Sequence, residues 1–401
     1  MSEDNGSEMQ EQLPVDDLAR LRLRRSAKWS VYEPDVLPLP VAEMDYALAP
    51  AVQEVLADAV AHSDTGYAMA NPALGEALAG FAHRQWGWTV APEHVYGMPD
   101  VGVAAVEMLR TVCRPGDSVV FSPPVYPPFF HWVHEVRAQV VTAPLRQDAH
   151  GCWRLDLQAI EDAFRRRPRA YVLCNPHNPV GRVHTADELV ELARLAAEHG
   201  VTIIADEIHA PLVLPGARFT PFLTVPGGAE VGVSLVSASK AFNLAGLKCA
   251  AVVAQSTAMN SLTDQLPPDA RWRVGHLGLL ATVTALTVGD DWLALLVATL
   301  AERRSQLDRL IAARLPQVRW HPPEATYLGW LDCSEIGAAD TPQRLFLDRG
   351  RVALEPGPAF GPGGDGHVRI NFATSAPILD CAVKQMAGAA ALPSPSRKPL
   401  S

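Results

Sequence analysis

Between about residues 90 and 255 the chain alternates short apolar runs with longer stretches in which apolar side chains recur every three or four positions. The short runs are SVVFSPP from Ser118, AYVLCNP from Ala170, VTIIADE from Val201, VSLVSAS from Val233 and AAVVA from Ala250. Each ends on turn or polar residues, the pattern of strands buried on both faces. Strands alternating with helices predict a parallel sheet flanked by helices, and ligands bind such sheets at the carboxyl ends of the strands. Between two of these strands, HTADELVELARLAAEHG predicts a helix with Thr185 as N-cap, Glu188 completing a capping box and Gly200 as the stop. The uncharged run from Val274 to Gly289 contains His276 and several threonines and falls short of the roughly 20 residues of a membrane span, so it reads as a buried helix.

After Gly289 the pattern changes to a long helix from Trp292 to Leu315, the segment TYLGWLD, a helix near Thr341 to Arg349 and the alternating strand HVRINFAT. These predict a smaller α+β domain. The expected organisation is an amino-terminal arm over residues 1–45 that returns to the small domain, a large domain over 46–288, the small domain over 289–392 and a frayed Pro/Ser-rich tail over 393–401.

Composition narrows the function classes. The 401 residues are 48% hydrophobic and 19% charged, enough for a sizeable core, with 34 prolines and 28 glycines for turns. The formal charge of -10 repels phosphate backbones, and no Lys/Arg-rich run interleaved with aromatics is present, so a nucleic-acid partner is not expected. The start, MSEDNGSEMQEQ, lacks the order of a secretory signal, which favours the cytoplasm and no membrane association. Cys113, Cys152, Cys174, Cys249, Cys333 and Cys381 show no CxxC pair and the 13 histidines are dispersed, so the cysteines read as small core residues and no metal site is expected.

The segment with most chemistry is SASKAFNLAGLK, which follows a buried strand and holds one lysine where the loop leaves the sheet. Lys240 there could form an imine with an aldehyde while Ser237, Ser239 and Lys248 bind a phosphate; the plainer alternative is a solvated Ser/Lys loop. Two upstream features favour chemistry. VTIIADE brings Asp206 to the carboxyl edge of the sheet, and CNPHNPVG brings Asn178 to the end of the preceding strand. A carboxylate suits a pyridinium nitrogen and an amide suits a phenolate oxygen, although singly Asp206 could be a cap and Asn178 a turn residue before Pro179.

With these residues in place, the chain resembles fold-type I pyridoxal-phosphate enzymes of the class I/II aminotransferase superfamily over nearly its whole length. It most resembles the MalY/PatB branch of cystathionine β-lyase-like carbon-sulfur lyases. The segments that carry this are LRRSAKW at Leu23, LPLPVAEMDYALAP at Leu37, DEIHAPL at Asp206, SKAFNLAGLK at Ser239 and HVRINFATS at His367. The resemblance implies that Lys240 holds pyridoxal 5'-phosphate as a Schiff base, with Asp206 as the pyridinium partner and Asn178 as the phenolate partner. Lys248 falls where the superfamily has a phosphate-binding basic residue, and Tyr126 matches the aromatic residue that stacks on the cofactor. Val101 and Gly102 match the backbone amides that meet the phosphate, and a helix amino terminus suits an anion. Tyr67 matches a tyrosine that reaches the partner subunit's phosphate, which implies a homodimer with a shared site.

Arg369 matches the arginine that grips the substrate α-carboxylate, the alternative being an interstrand ion pair. His209 stands where the branch's lyases often carry histidine and many aminotransferases tyrosine; it is assigned to the cofactor's oxygen environment, against a plain helix-start histidine. The family's WVADMDF appears here as PVAEMDY, with Pro40, Glu43 and Tyr46 as departures, so the pocket is expected to be altered, with Val41 and Ala42 as possible backbone contacts to substrate.

The expected reaction is β-elimination from an S-substituted L-cysteine, cystathionine or a bulkier conjugate, giving thiol, pyruvate and ammonia, with Lys240 as base. An aminotransferase shares the steps up to the carbanion, and decarboxylating deamination of a cysteine conjugate is a third possibility. A regulatory binding protein on the same fold is the non-enzymatic alternative, against which the joint retention of Lys240, Asp206, Asn178 and Arg369 argues.

Overall fold

In a computed structural model, residues 13–68, 72–336 and 341–391 are described; the tail expected over 393–401 lies outside them. The short apolar runs do become strands. β1 (Val95–Met98), β2 (Ser118–Phe121), β3 (Gln139–Thr142), β4 (Ala170–Cys174), β5 (Thr202–Asp206), β6 (Gly232–Val236) and β7 (Ala250–Val253) form one seven-stranded sheet in the order β1-β7-β6-β5-β4-β2-β3. Successive side chains on a strand point to opposite faces, and here they enter two separate cores. Val119, Phe121, Val172 and Cys174 pack on one side, while Val120, Tyr171 and Leu173 pack on the other. Burial on both faces is what makes these strands read as unbroken apolar runs.

The sheet is parallel except at β7, which runs antiparallel to both β1 and β6. Hydrophobic pattern carries no strand direction, so this reversal was invisible in the sequence. The pattern also missed β1, where Gly97 breaks the run between Leu74 and Val274 side chains, and the partly exposed edge strand β3.

Helix α1 (Val101–Val112) leaves the carboxyl end of β1 and buries Ala104, Ala105, Met108 and Leu109 against the sheet. Helix α2 (Ala186–His199) has the expected capping box: Glu188 N–H donates to Thr185 Oγ1 at 3.2 Å, and Thr185 N–H donates to Glu188 Oε2 at 2.8 Å. Gly200 closes it at φ +67°, a left-handed conformation that favours glycine. Helix α3 (His276–Val288) buries Leu279, Ala281 and Ala285, while Val288 at its end is 62% exposed. It meets α4 (Asp290–Arg314) at a bend of 84°, and no single described helix is long and apolar enough to cross a membrane.

Beyond α4, β8 (Arg319–Trp320), β9 (Leu328–Asp332), β10 (Glu355–Pro356) and β11 (His367–Asn371) form an antiparallel sheet in the order β8-β9-β11-β10. The short strand Leu37–Pro38 runs parallel to Val352–Ala353, and Asn371 N–H donates to Leu39 O at 2.8 Å. The LRRSAKW and PVAEMDY segments meet through Lys28 and Asp45, both fully buried, whose Nζ and Oδ1 are 2.8 Å apart. Trp29 Nε1 donates to the same oxygen at 3.1 Å. The cysteines only partly follow the expectation of core residues. Cys113, Cys174, Cys249 and Cys333 are buried, whereas Cys381 is exposed and half-buried Cys152 has its Sγ 3.3 Å from His321 Nε2.

Candidate active site

The carboxyl ends of β4, β5 and β6, the start of α1 and one face of β11 converge on a cavity of about 670 Å³. Every residue assigned from the sequence to catalysis, cofactor or substrate lines it except Ser237 and Tyr67. Ser237 is one step removed. Its hydroxyl donates to Cys249 O at 2.7 Å and lies 2.7 Å from Ser239 Oγ, so it ties the end of β6 to the start of β7 while Ser239 faces the cavity. Tyr67 is 85% exposed and stands away from this chain's cavity.

One end of the cavity is built for an anion. Val101 and Gly102 open α1, where unpaired backbone N–H groups and the helix dipole favour negative charge. A side chain at Gly102 would crowd Asp100 Oδ1 and Trp132 Nε1, each 3.3 Å from its first carbon. Lys248 stands beside this end with φ +64° and pairs with Asp100 at 3.1 Å. Asp100 also caps α1, its Oδ1 accepting from Val103 N–H at 2.8 Å.

The other end holds Asp206, buried at 4% exposure, whose carboxylate accepts from Ile208 N–H at 3.2 Å. Burial pushes its carboxyl up to about 7, with the Ile208 bond and the charge of Lys240 opposing. Such a carboxyl accommodates a cation or shares a proton. Lys240 Nζ donates to Ala42 O at 3.0 Å. Burial first, and Arg369 second, pull its amine down to about 8, which leaves a usable neutral fraction near physiological pH. His209, 3% exposed, has no hydrogen-bond partner at Nδ1 among the described residues; burial first, then Lys240 and Arg369, draw it down to about 3, so the imidazole is neutral. Cys174 shares the cavity wall, its thiol pushed up mainly by burial.

Tyr126 lies in the wall between the two ends, its ring edge-on to Trp132 at 6.2 Å. Arg369 projects from β11 and is held in place: Nη1 donates to Asn178 Oδ1 at 3.0 Å, Nη2 donates to Pro40 O at 2.8 Å, and the guanidinium lies 5.0 Å from the Phe360 ring centre. The alternative of an interstrand ion pair does not hold, since Nη1 and Nη2 go to an amide and a carbonyl. Val41 and Ala42 line the cavity, with Ala42 O also accepting from Tyr327 Oη at 2.9 Å and Val41 O from Asn371 Nδ2 at 2.7 Å. Of the departures in PVAEMDY, Pro40 seats Arg369 through its carbonyl, and Tyr46 is buried with its hydroxyl donating to Thr374 O at 3.2 Å. Sequence reasoning missed Asp100, Cys174, His131, Trp132 and Glu355 as cavity residues.

An anion cradle at one end, a buried carboxyl that makes no ion pair among the described residues at the other and an amine of lowered pKa between them match the chemistry of pyridoxal phosphate. Its phosphate, protonated ring nitrogen and aldehyde require these three groups.

The sequence profile of the family described as aminotransferase class I and II matches residues 34–385. A Mycobacterium leprae protein provisionally named a cystathionine beta-lyase is 45% identical, covering 94% of this chain and 96% of its own. Cystathionine beta-lyase PatB of Bacillus subtilis is 32% identical over 88% of this chain and 92% of its own. A crystal structure from Corynebacterium diphtheriae, provisionally a PLP-dependent beta-cystathionase, superposes with a TM-score of 0.90 at 33% identity and covers 95% of this chain and 99% of its own. The chain therefore belongs to the aminotransferase class I and II family, in its MalY/PatB branch.

Proposed function

We propose that this protein is a pyridoxal-phosphate-dependent carbon-sulfur β-lyase that cleaves an S-substituted L-cysteine, cystathionine being the reference substrate, to thiol, pyruvate and ammonia. The observation that carries this reading is the buried Asp206 carboxyl, without an ion pair among the described residues, sharing a cavity with Lys240 and with an Arg369 already seated on Asn178.

When bound, pyridoxal phosphate supplies an aldehyde for the substrate amino group and a ring able to accept the electron pair of the broken α C–H bond. Lys240, Asp206, Asn178, His209, Tyr126, Ser239, Lys248 and the Val101 and Gly102 amides are positioned to hold it, with Ser237 supporting Ser239. Arg369 binds the α-carboxylate as a two-pronged donor and, with Tyr126, fixes the orientation of the α C–H bond. Lys240 takes the α-proton on Nζ, for which a pKa near 8 suits a base at neutral pH. Asp206 stays ionised against a ring N–H⁺ and keeps that proton in place. The β C–S bond then breaks with its electron pair on sulfur, and the remaining enamine carbon skeleton hydrolyses to pyruvate and ammonia.

The proposed assembly is a cytoplasmic homodimer in which Tyr67 reaches the partner's phosphate site. Support comes from large apolar side chains left uncovered: helix Pro50–Ala61 and α3 pack together yet leave Val60 60% and Val288 62% exposed, and Tyr67 is more exposed still. The proposed domains are an arm over 1–45, a cofactor-binding domain over 46–288 and a small domain over 289–392, with the bend between α3 and α4 at the junction.

Purified protein incubated with L-cystathionine and a panel of cysteine conjugates tests the reading, with cofactor absorbance, pyruvate and free thiol followed together. Equal amounts of pyruvate and thiol without added keto acid are expected. Product formed only with a keto-acid acceptor would replace elimination by transamination, and carbon dioxide release would point to decarboxylating deamination.

A further inference from the structure

Once the cavity's charges are assigned, one remains. Asp206 answers the ring cation, Asp100 is engaged by Lys248 and by the start of α1, Lys240 meets the aldehyde, Lys248 the phosphate and Arg369 the α-carboxylate. Glu355 is left over. It lines the same cavity from β10, directly opposite Arg369 in the strand register, so the two side chains leave the same face of the sheet. It does not neutralise Arg369 by contact: Nη1 and Nη2 turn to Asn178 and Pro40, and among the described residues no hydrogen bond or ion pair engages the Glu355 carboxylate. Its field reaches the phenols of Tyr126 in the cavity wall and Tyr32 in the amino-terminal arm; in both, burial is the larger cause of a raised pKa and Glu355 adds to it. The carboxylate thus belongs to the cavity wall, one strand from the group that anchors the amino acid.

We propose that Glu355 is a specificity-determining residue that receives an ammonium group on the sulfur-borne half of the substrate. The favoured substrates are then thioethers of L-cysteine whose leaving thiol carries its own amine. This inference rests on the lyase reading and specifies its substrate class. A cation on the departing half fits the electrostatics, because Glu355 would otherwise repel the α-carboxylate bound one strand away. An alkyl substituent leaves that carboxylate unanswered, a recognised source of discrimination.

The test compares L-cystathionine with S-(3-carboxypropyl)-L-cysteine, which has the same carbon skeleton and distal carboxylate but lacks the distal amine. The native enzyme is expected to prefer cystathionine in kcat/KM by roughly 10- to 100-fold, the range for a hydrogen bond between charged groups. In Glu355→Gln that ratio is expected to collapse to within a few fold of unity, mainly through KM. An equal kcat/KM for the two thioethers in the native enzyme overturns the proposal, as does a ratio that survives in Glu355→Gln with cofactor loaded normally. Dissociation constants of the two thioethers, read from the cofactor absorbance, give the same comparison without turnover. If neither thioether is cleaved, the lyase reading fails by itself, and the binding preference still decides the role of Glu355. If Glu355→Gln does not load cofactor, the native ratio is decisive.

Discussion

Asp45 and Asp206 are both buried carboxylates, and they differ in what has been provided for them. Asp45 meets Lys28 at 2.8 Å and the Trp29 indole at 3.1 Å, so its charge is answered by neighbours from its own arm. Asp206 has one backbone N–H and a lysine positioned to act elsewhere. Removing a charge from water is costly unless a partner is supplied. The chain supplies one for Asp45, which fastens the PVAEMDY loop under the cavity, and leaves Asp206 for a ligand to complete. Burial alone does not separate scaffold from site; whether the chain itself completes the pair does.

The sharpest way to break this comparison is Asp206→Asn. If the contrast holds, turnover of the loaded enzyme drops by roughly two to four orders of magnitude, the range for losing control of a proton in the transition state. The cofactor-free protein should at the same time melt higher, because an uncompensated acid is gone. A lower melting temperature for that form would make Asp206 part of the scaffold. Lys28→Met is the converse. It strands Asp45 and should cost about 3–5 kcal/mol in urea unfolding, whereas Lys28→Met with Asp45→Leu should recover most of that loss. A double variant no more stable than the single one would show that the pair does more than neutralise itself.

Acidity gives the smallest and most selective effect. The Asp206 carboxyl, raised from 3.8 to about 7, favours folding of the cofactor-free chain most below pH 4, and that contribution is lost as pH climbs through 7. Glu207, also raised to about 7, acts in the same direction, while His177 and His184, lowered to about 3 mainly by burial, cost stability as pH falls from 6.5 towards 3. Those three groups are common to both forms. The difference in melting temperature between loaded and cofactor-free protein should therefore widen from pH 5 to pH 8, and a constant difference would contradict the assignment.

The parts of the site legible in the sequence are those set by local chain geometry. Asp206, Asn178 and Lys240 each follow a short apolar run, so their place at the carboxyl edge of the sheet follows from the run itself. Thr185 and Gly200 announce a helix by side-chain chemistry that needs no distant partner. Glu355 and Asp100 were missed because what places them is register: Glu355 becomes a cavity residue only through its pairing opposite Arg369, and Asp100 through Lys248, far along the chain. The same limit applied to Lys28 and Asp45. Their motifs were recognised as distinctive segments, but the physical reason, a closed pair in the interior, required the fold.

The reversed strand β7 acts as a caliper. Because it runs against β6, the chain leaves the sheet after Val236 and re-enters it at Ala250 from the same edge, with Lys240 and Lys248 on one short excursion. Were β7 parallel, its first residue would stand at the opposite edge, displaced by about 3.3 Å for each residue of the strand, or roughly 13 Å. No lysine side chain adjoining it could then reach the mouth of α1. The span between the amine and the anion cradle is thus written into the direction of one strand, and the Ser237 hydroxyl, bonded to Cys249 O, locks the jaws at that setting.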